Sequence, residues 1–151
     1  MIITSTAFQN NENIPSIYTC DGNNHNPPLT FSKVPANAKS LVLIVDDADS
    51  PGRIFVHWLI YNMPPSTIQI LENEVPEESL QGINDFGNTN YGGPCPRSGT
   101  HRYFFKLYAL DTLLDLPAGA KKEEIEKGLE GHVLESSQII GIYKRIGEAN
   151  I

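Results

Sequence analysis

The chain of 151 residues is short of several things, and each shortage excludes something. No apolar run reaches the roughly 18–20 residues that a membrane-spanning helix needs, so stable membrane insertion is not expected. Basic residues are few: 11 Lys and Arg stand against 18 Asp and Glu, a formal charge of -7. A negative bulk field argues against nonspecific binding of nucleic acid or of an anionic membrane. Only two cysteines occur, Cys20 and Cys95, which make neither a disulfide framework nor a metal-ligand pattern. They read as two thiols in a reducing compartment, with a single bridge pinning two loops as the alternative. The first residues lack a basic segment followed by a long apolar one, so no signal peptide is evident and the cytoplasm is the expected compartment. HExxH, a nucleophile elbow and a Walker loop are absent too.

What is present points to one domain over residues 1–151. The 11 prolines and 12 glycines are spread along the chain rather than pooled in a linker, which suggests many short elements joined by turns. Residues 40–45 are an unbroken run of branched and leucine side chains, the pattern of a strand buried on both faces. A second buried strand is expected at 55–61, stopped by Pro64 and Pro65, and a third at 103–110. Shorter strands are expected at 2–5, from Leu29 onward and at 139–145, with brief pairing near 81–85. One helix is expected over about 121–130, where Ile125 and Leu129 are four apart on one face. The fold class that follows is mainly β: a two-sheet antiparallel β-sandwich with Greek-key connections and one late α-helix.

Three stretches carry chemistry. An acidic loop follows the first buried strand and includes Asp47, Asp49 and Pro51. Aspartate there serves a turn, yet a pair spaced by two also suits acid–base work or a metal. His57 lies within the second strand. The stretch 91–110 opens with two glycines and two prolines around Cys95 and passes His101 into an aromatic run. Glycine lets a ligand approach the main chain and proline stiffens the loop. Arg97, Arg102 and Lys106 add local positive charge there. His25 and His132 read as structural.

The Asp47-Ala48-Asp49-Ser50-Pro51 loop, His57-Trp58, and Tyr91-Gly92-Gly93-Pro94-Cys95-Pro96 leading to His101-Arg102-Tyr103 resemble the phosphatidylethanolamine-binding protein family, within it the short prokaryotic Raf-kinase-inhibitor-like members. The resemblance implies a β-sandwich with a small pocket for phosphate-like groups at one end. By motif it implies ligand-binding roles for Asp47, His57, Gly93, Pro94, His101 and Tyr103, with Asp49 and Pro51 shaping the acidic loop. It implies a small phosphate-containing or zwitterionic ligand, regulation of a kinase or protease by some members, no cofactor, no metal, and no settled enzymatic activity. Ala48 stands where the family's loop usually has proline, and Arg97 where many relatives have another proline. The alternatives are a kinase or protease inhibitor acting through protein contacts, and a metal- or acid–base-dependent hydrolase using Asp47, Asp49, His57 and His101. A monomer or a homodimer suits either.

Overall fold

Every residue of 40–47 is buried, which a strand achieves only inside a sheet covered on both faces. A computed structural model describes residues 1–147 and places this run at the middle of the molecule. The elements are β1 (Ile2–Thr4), β2 (Glu12–Asn13), β3 (Leu29–Ser32), β4 (Ser40–Asp47), β5 (Phe55–Met63), β6 (Gln69–Ile70), β7 (Leu80–Gln81), β8 (His101–Leu110), helix α1 (Lys122–Leu129) and β9 (Val133–Tyr143). They form a small sheet in the order β1-β3-β6 and a large one in the order β2-β9-β8-β4-β5-β7. All pairings are antiparallel except β2 with β9. β8 does not continue from β5 but returns to the far side of β4, a crossed connection between two hairpins.

Alternation along β4 and β8 divides the large sheet into two faces. Leu41, Leu43, Val45, Phe105 and Leu107 face the small sheet and pack with Ile3, Leu29, Phe31 and Ile70. Val42, Ile44, Leu59 and Tyr61 face the other way and meet Ile125 and Leu129 of α1. Eight residues of helix are marginal in water, so this apolar contact holds α1 in place. Burial of each large apolar side chain contributes roughly 1.5–3 kcal/mol relative to exposure. The mainly β architecture, the two sheets and the single helix match the expectation.

The differences lie at weakly patterned places. β9 begins at Val133, earlier than the expected 139, because it pairs with β8 along the whole length of that strand. Its first half is mostly exposed and polar, so hydrophobic pattern could not reveal it. β2 is two residues long and was not foreseen, and β7 pairs at 80–81 instead of further on. The two-thiol reading is overturned: Cys20 and Cys95 are joined in a disulfide across 75 residues. The surrounding loops are pressed together by their own bonds. Cys20 N donates to the Pro94 carbonyl (3.1 Å), Gly93 N to Asn24 Oδ1 (2.9 Å) and the Tyr91 hydroxyl to the Tyr18 carbonyl (2.7 Å). Sequence spacing carries no trace of that proximity.

Candidate ligand cavity

The end of β4, the start of β5 and the start of β8 meet at one edge of the large sheet, since β4 is antiparallel to both neighbours. Asp47 is opposite Phe55 on one side and Tyr103 on the other. His101 and Tyr103 point to the same face as Asp47 because strand side chains repeat every two residues. His57 arrives there by a β-bulge. Val45 pairs with Trp58 and Asp46 with Val56, so His57 is the extra residue. Trp58 and Val56 lie in opposite core layers, as the bulge requires. The His57 backbone carbonyl, freed from the ladder, accepts from Gly92 N (3.0 Å) and Asn84 Nδ2 (3.3 Å).

These residues line a cavity of about 410 Å³, together with Ser50, Pro51, Arg53, Phe55, Phe86, Cys95, Pro96 and Arg97. Asp47 and His101 form a buried pair, Oδ2 to Nδ1 at 2.6 Å, and His101 Nε2 faces the Ser98 carbonyl at 3.1 Å. Asp47 Oδ1 also accepts from Asp49 N (2.8 Å), so one carboxylate closes the turn and holds the histidine. His57 donates from Nδ1 to the Gly92 carbonyl (2.6 Å), since a carbonyl can only accept. Phe55, Phe86 and Tyr103 surround its ring at centroid distances of 5.2, 5.3 and 5.2 Å. Burial in that aromatic box pushes the imidazole below its ordinary pKa, against the pull of the Gly92 carbonyl and the Asp47 charge. A neutral ring whose one proton is spent on Gly92 offers an acceptor at Nε2. The Tyr103 hydroxyl is buried beside the Asp47 carboxylate and makes no hydrogen bond of full geometry. Burial, and then the Asp47 charge, hold its phenol far above the usual pKa, so it keeps its proton.

The other candidates stand outside. Asp49 is spent on Arg102, accepting from its backbone N, Nε and Nη2, each at 2.9 Å. Gly93 and Pro94 do not line the cavity; they are packed behind it, where a Cβ on Gly93 would collide with the Tyr18 carbonyl and Asn24 Oδ1. Of the three nearby cations only Arg97 reaches the cavity. Arg102 and Lys106 alternate onto the other face of β8, and Lys106 pairs with Asp46 at 3.0 Å. Arg53, Phe55 and Phe86 were missed. Arg53 bonds Asp85 at 2.6 Å and lies over the Phe55 ring at 5.8 Å. The loop spacing gave no signal for them. Among the described residues, no three His, Cys, Asp or Glu side chains are grouped so that they could hold a metal ion.

The fold and cavity define a two-sheet β protein with a ligand-sized recess at the strand ends, of the volume usual for small-molecule sites. Comparison with known sequences gives the particular kind. The phosphatidylethanolamine-binding protein family pattern matches residues 4–144, and the chain belongs to that family. It is 51% identical over 150 residues to a UPF0098 protein of Methanothermobacter thermautotrophicus, covering 96% of this chain and 99% of the relative. Among solved structures it is similar to the phosphatidylethanolamine-binding protein homologue CT736 of Chlamydia trachomatis, with a TM-score of 0.91, 39% identity and 95% and 96% coverage. Escherichia coli YbcL, a member of the same family, gives 0.89 at 28% identity, with 95% and 97% covered.

Proposed function

We propose that this cavity binds a small ligand carrying a phosphate group, alone or joined to an ammonium group as in phosphoethanolamine. The observation that carries the reading is the Tyr103 hydroxyl: a buried donor that makes no hydrogen bond of full geometry, on the cavity wall with the Asp47 carboxylate beside it. An unsatisfied buried donor costs about 1–3 kcal/mol, and an incoming oxygen anion recovers it. Arg97 on the lining draws an anion toward a protein whose bulk charge is negative, while Arg53 on the same lining is already paired with Asp85. His57 Nε2 accepts a hydrogen bond from the ligand, either from the P–OH of a monoanionic phosphate or from an ammonium. The Asp47 carboxylate on the lining favours the ammonium. The ligand reading belongs to a binding protein; hydrolysis through Asp49 loses support because that carboxylate is held by Arg102.

Isothermal titration of the purified protein with inorganic phosphate and with phosphoethanolamine tests the reading. Heat is expected for the parent, and affinity at least tenfold weaker for Tyr103→Phe and for the His57→Ala, His101→Ala double variant, a loss of about 1.4 kcal/mol. A parent that binds neither compound overturns it. The disulfide also bears on compartment, because such bridges persist mainly in oxidising surroundings. Fractionating the native host and trapping free thiols decides between that setting and the cytoplasm.

A further inference from the structure

The ligand reading leaves one cavity residue without a task. Cys95 lines the recess between Tyr103 and Arg97, and its sulfur is bonded to Cys20. Both cysteines are half-buried, so the bridge is neither sealed in the core nor fully open to solvent. We propose that this disulfide is a thiol-exchange site reached through the ligand cavity, that its reactant is a small anionic thiol, and that ligand binding and reduction of the bridge oppose each other. Only the last clause rests on the ligand reading.

Access and charge select the sulfur. Cys95 is on the cavity lining, and Arg97 lies two residues further on at the exposed mouth; Arg53 shares the lining but is already paired with Asp85 at 2.6 Å. A thiolate is the attacking species in exchange, and a positive mouth raises its local concentration. The negative group inside, Asp47, is already paired with His101. On the Cys20 side the next residue, Asp21, is a carboxylate and balances the cation there. Its charge is taken up by Arg145 and the Tyr143 hydroxyl.

The reaction balances with a thiol as the named reductant. The thiolate attacks Cys95 Sγ, forming a mixed disulfide, while the S–S bond breaks and its electron pair leaves on Cys20 as thiolate, which takes a proton from water. A second thiolate then attacks the external sulfur of the adduct. Cys95 is released as a thiolate, and the two external thiols have been oxidised to one disulfide. The protein gains two electrons and two protons overall.

The consequence for the cavity comes from how the wall is held. The loop before Cys95 keeps its own anchors: the Tyr91 hydroxyl, Gly93 N and the Pro94 carbonyl all bond the 18–24 segment. The segment that supplies Pro96 and Arg97 runs from the disulfide to the Ser98 carbonyl, which faces His101 Nε2. Opening the bridge removes the covalent end of that segment and leaves Gly93 and Pro94 in place. A looser wall must be ordered again when ligand binds, so affinity falls, and a ligand seated in the recess covers the sulfur to be attacked.

Folded oxidised protein is treated with glutathione, an anionic thiol, and in parallel with neutral 2-mercaptoethanol; both are quenched in acid and the adduct is mapped by mass spectrometry. The expected product carries glutathione on Cys95, and Arg97→Ala slows glutathione more than 2-mercaptoethanol. An adduct on Cys20, or no adduct from folded protein under conditions where the urea-unfolded chain reacts, overturns the exchange site. Inorganic phosphate is then titrated into oxidised and fully reduced wild type and into the Cys20→Ser, Cys95→Ser double variant, with melting curves checking that each is folded. Reduction is expected to weaken phosphate binding about tenfold, equal to about 1.4 kcal/mol, and saturating phosphate is expected to slow adduct formation. Equal affinity in the two redox states overturns the coupling. If oxidised protein binds no phosphate at all, the ligand reading fails, and the adduct map still decides the exchange site on its own.

Discussion

Asp46 and Asp47 follow one another on β4 and face opposite sides of the same sheet, where they meet quite different surroundings. Asp46 is wholly buried on the helix side, and its Oδ2 takes two ammonium groups, Lys106 at 3.0 Å and Lys122 of α1 at 3.3 Å. Asp47 is nearly as buried on the small-sheet side, yet has one histidine as its ion-pair partner and a cavity before it. At the first site two lysines of the chain itself meet Oδ2 and tie α1 to the sheet, while Oδ1 is buried without a partner. The second is left partly open. Burial and a carboxylate are common to both, and it is Asp46 that keeps an oxygen without a partner while both Asp47 oxygens are bonded; what separates them is that only Asp47 lies on the cavity lining.

Asp46→Ala breaks the closed side and gives the largest expected effect. It leaves two partly buried ammonium groups without their counter-charge, a loss of roughly 3 kcal/mol or more in urea unfolding. Phosphate binding by the folded fraction is expected to be unchanged. A loss below about 1 kcal/mol makes the pair no more than a surface bridge and ends the contrast.

Asp47→Asn tests the open side. It keeps the turn bond and removes the charge, so phosphoethanolamine is expected to lose about tenfold in affinity while inorganic phosphate does not, because a hydrogen bond to a charged group is worth about 1.5–3 kcal/mol. Equal losses for both compounds in titration would mean that Asp47 acts only by orienting His101.

His57 offers a smaller, pH-dependent effect. Its folded pKa lies below the ordinary 6.5, so between the two values the unfolded chain binds the extra proton. Stability is therefore fully present above about pH 6.5 and falls as pH drops through it, with a slope of at most about 1.4 kcal/mol per pH unit. His57→Phe should flatten that part of a melting-temperature profile between pH 7.5 and 5.5; an unchanged slope would place the titration elsewhere.

The smallest effect belongs to the third carboxylate of the loop. Arg102 holds Asp49 well below the usual carboxylate range through hydrogen bonds, but the pair is half exposed. Arg102→Ala is expected to cost under about 1 kcal/mol in unfolding measurements and to leave phosphate binding as it was. A clear loss of affinity would bring the Asp49 pair into the site after all.

Much of the fold was legible because its strongest elements are strongly patterned. Residues 40–45 and 103–110 declare buried strands by composition, and the spacing of Ile125 and Leu129 declares a helix with one apolar face. Asp47, His57, His101 and Tyr103, singled out by motif, lie on the cavity lining, and so does Pro51, which was read as shaping the acidic loop. Asp49, Gly93 and Pro94 belong to the same motifs but stand behind or beside the cavity, since a motif records which residues recur and not which of them face the recess. Arg53 and Phe86 escaped because they arrive on turns whose local sequence has no signal of its own.

By itself, then, the sequence determined the strands of the core, the helix face, the family and the order of its three motifs, because hydrophobic periodicity and turn chemistry are local properties. Tertiary structure alone decided what crosses between elements. Strict alternation from Trp58 would send His57 toward α1, and only the bulge opposite Asp46 returns it to the cavity. Asp46 and Asp47 were separated by a sheet that neither residue encodes. The bond between Cys20 and Cys95 required two loops 75 residues apart to be pressed together. Pairing register and loop contact depend on the whole chain at once, and no window of sequence contains them.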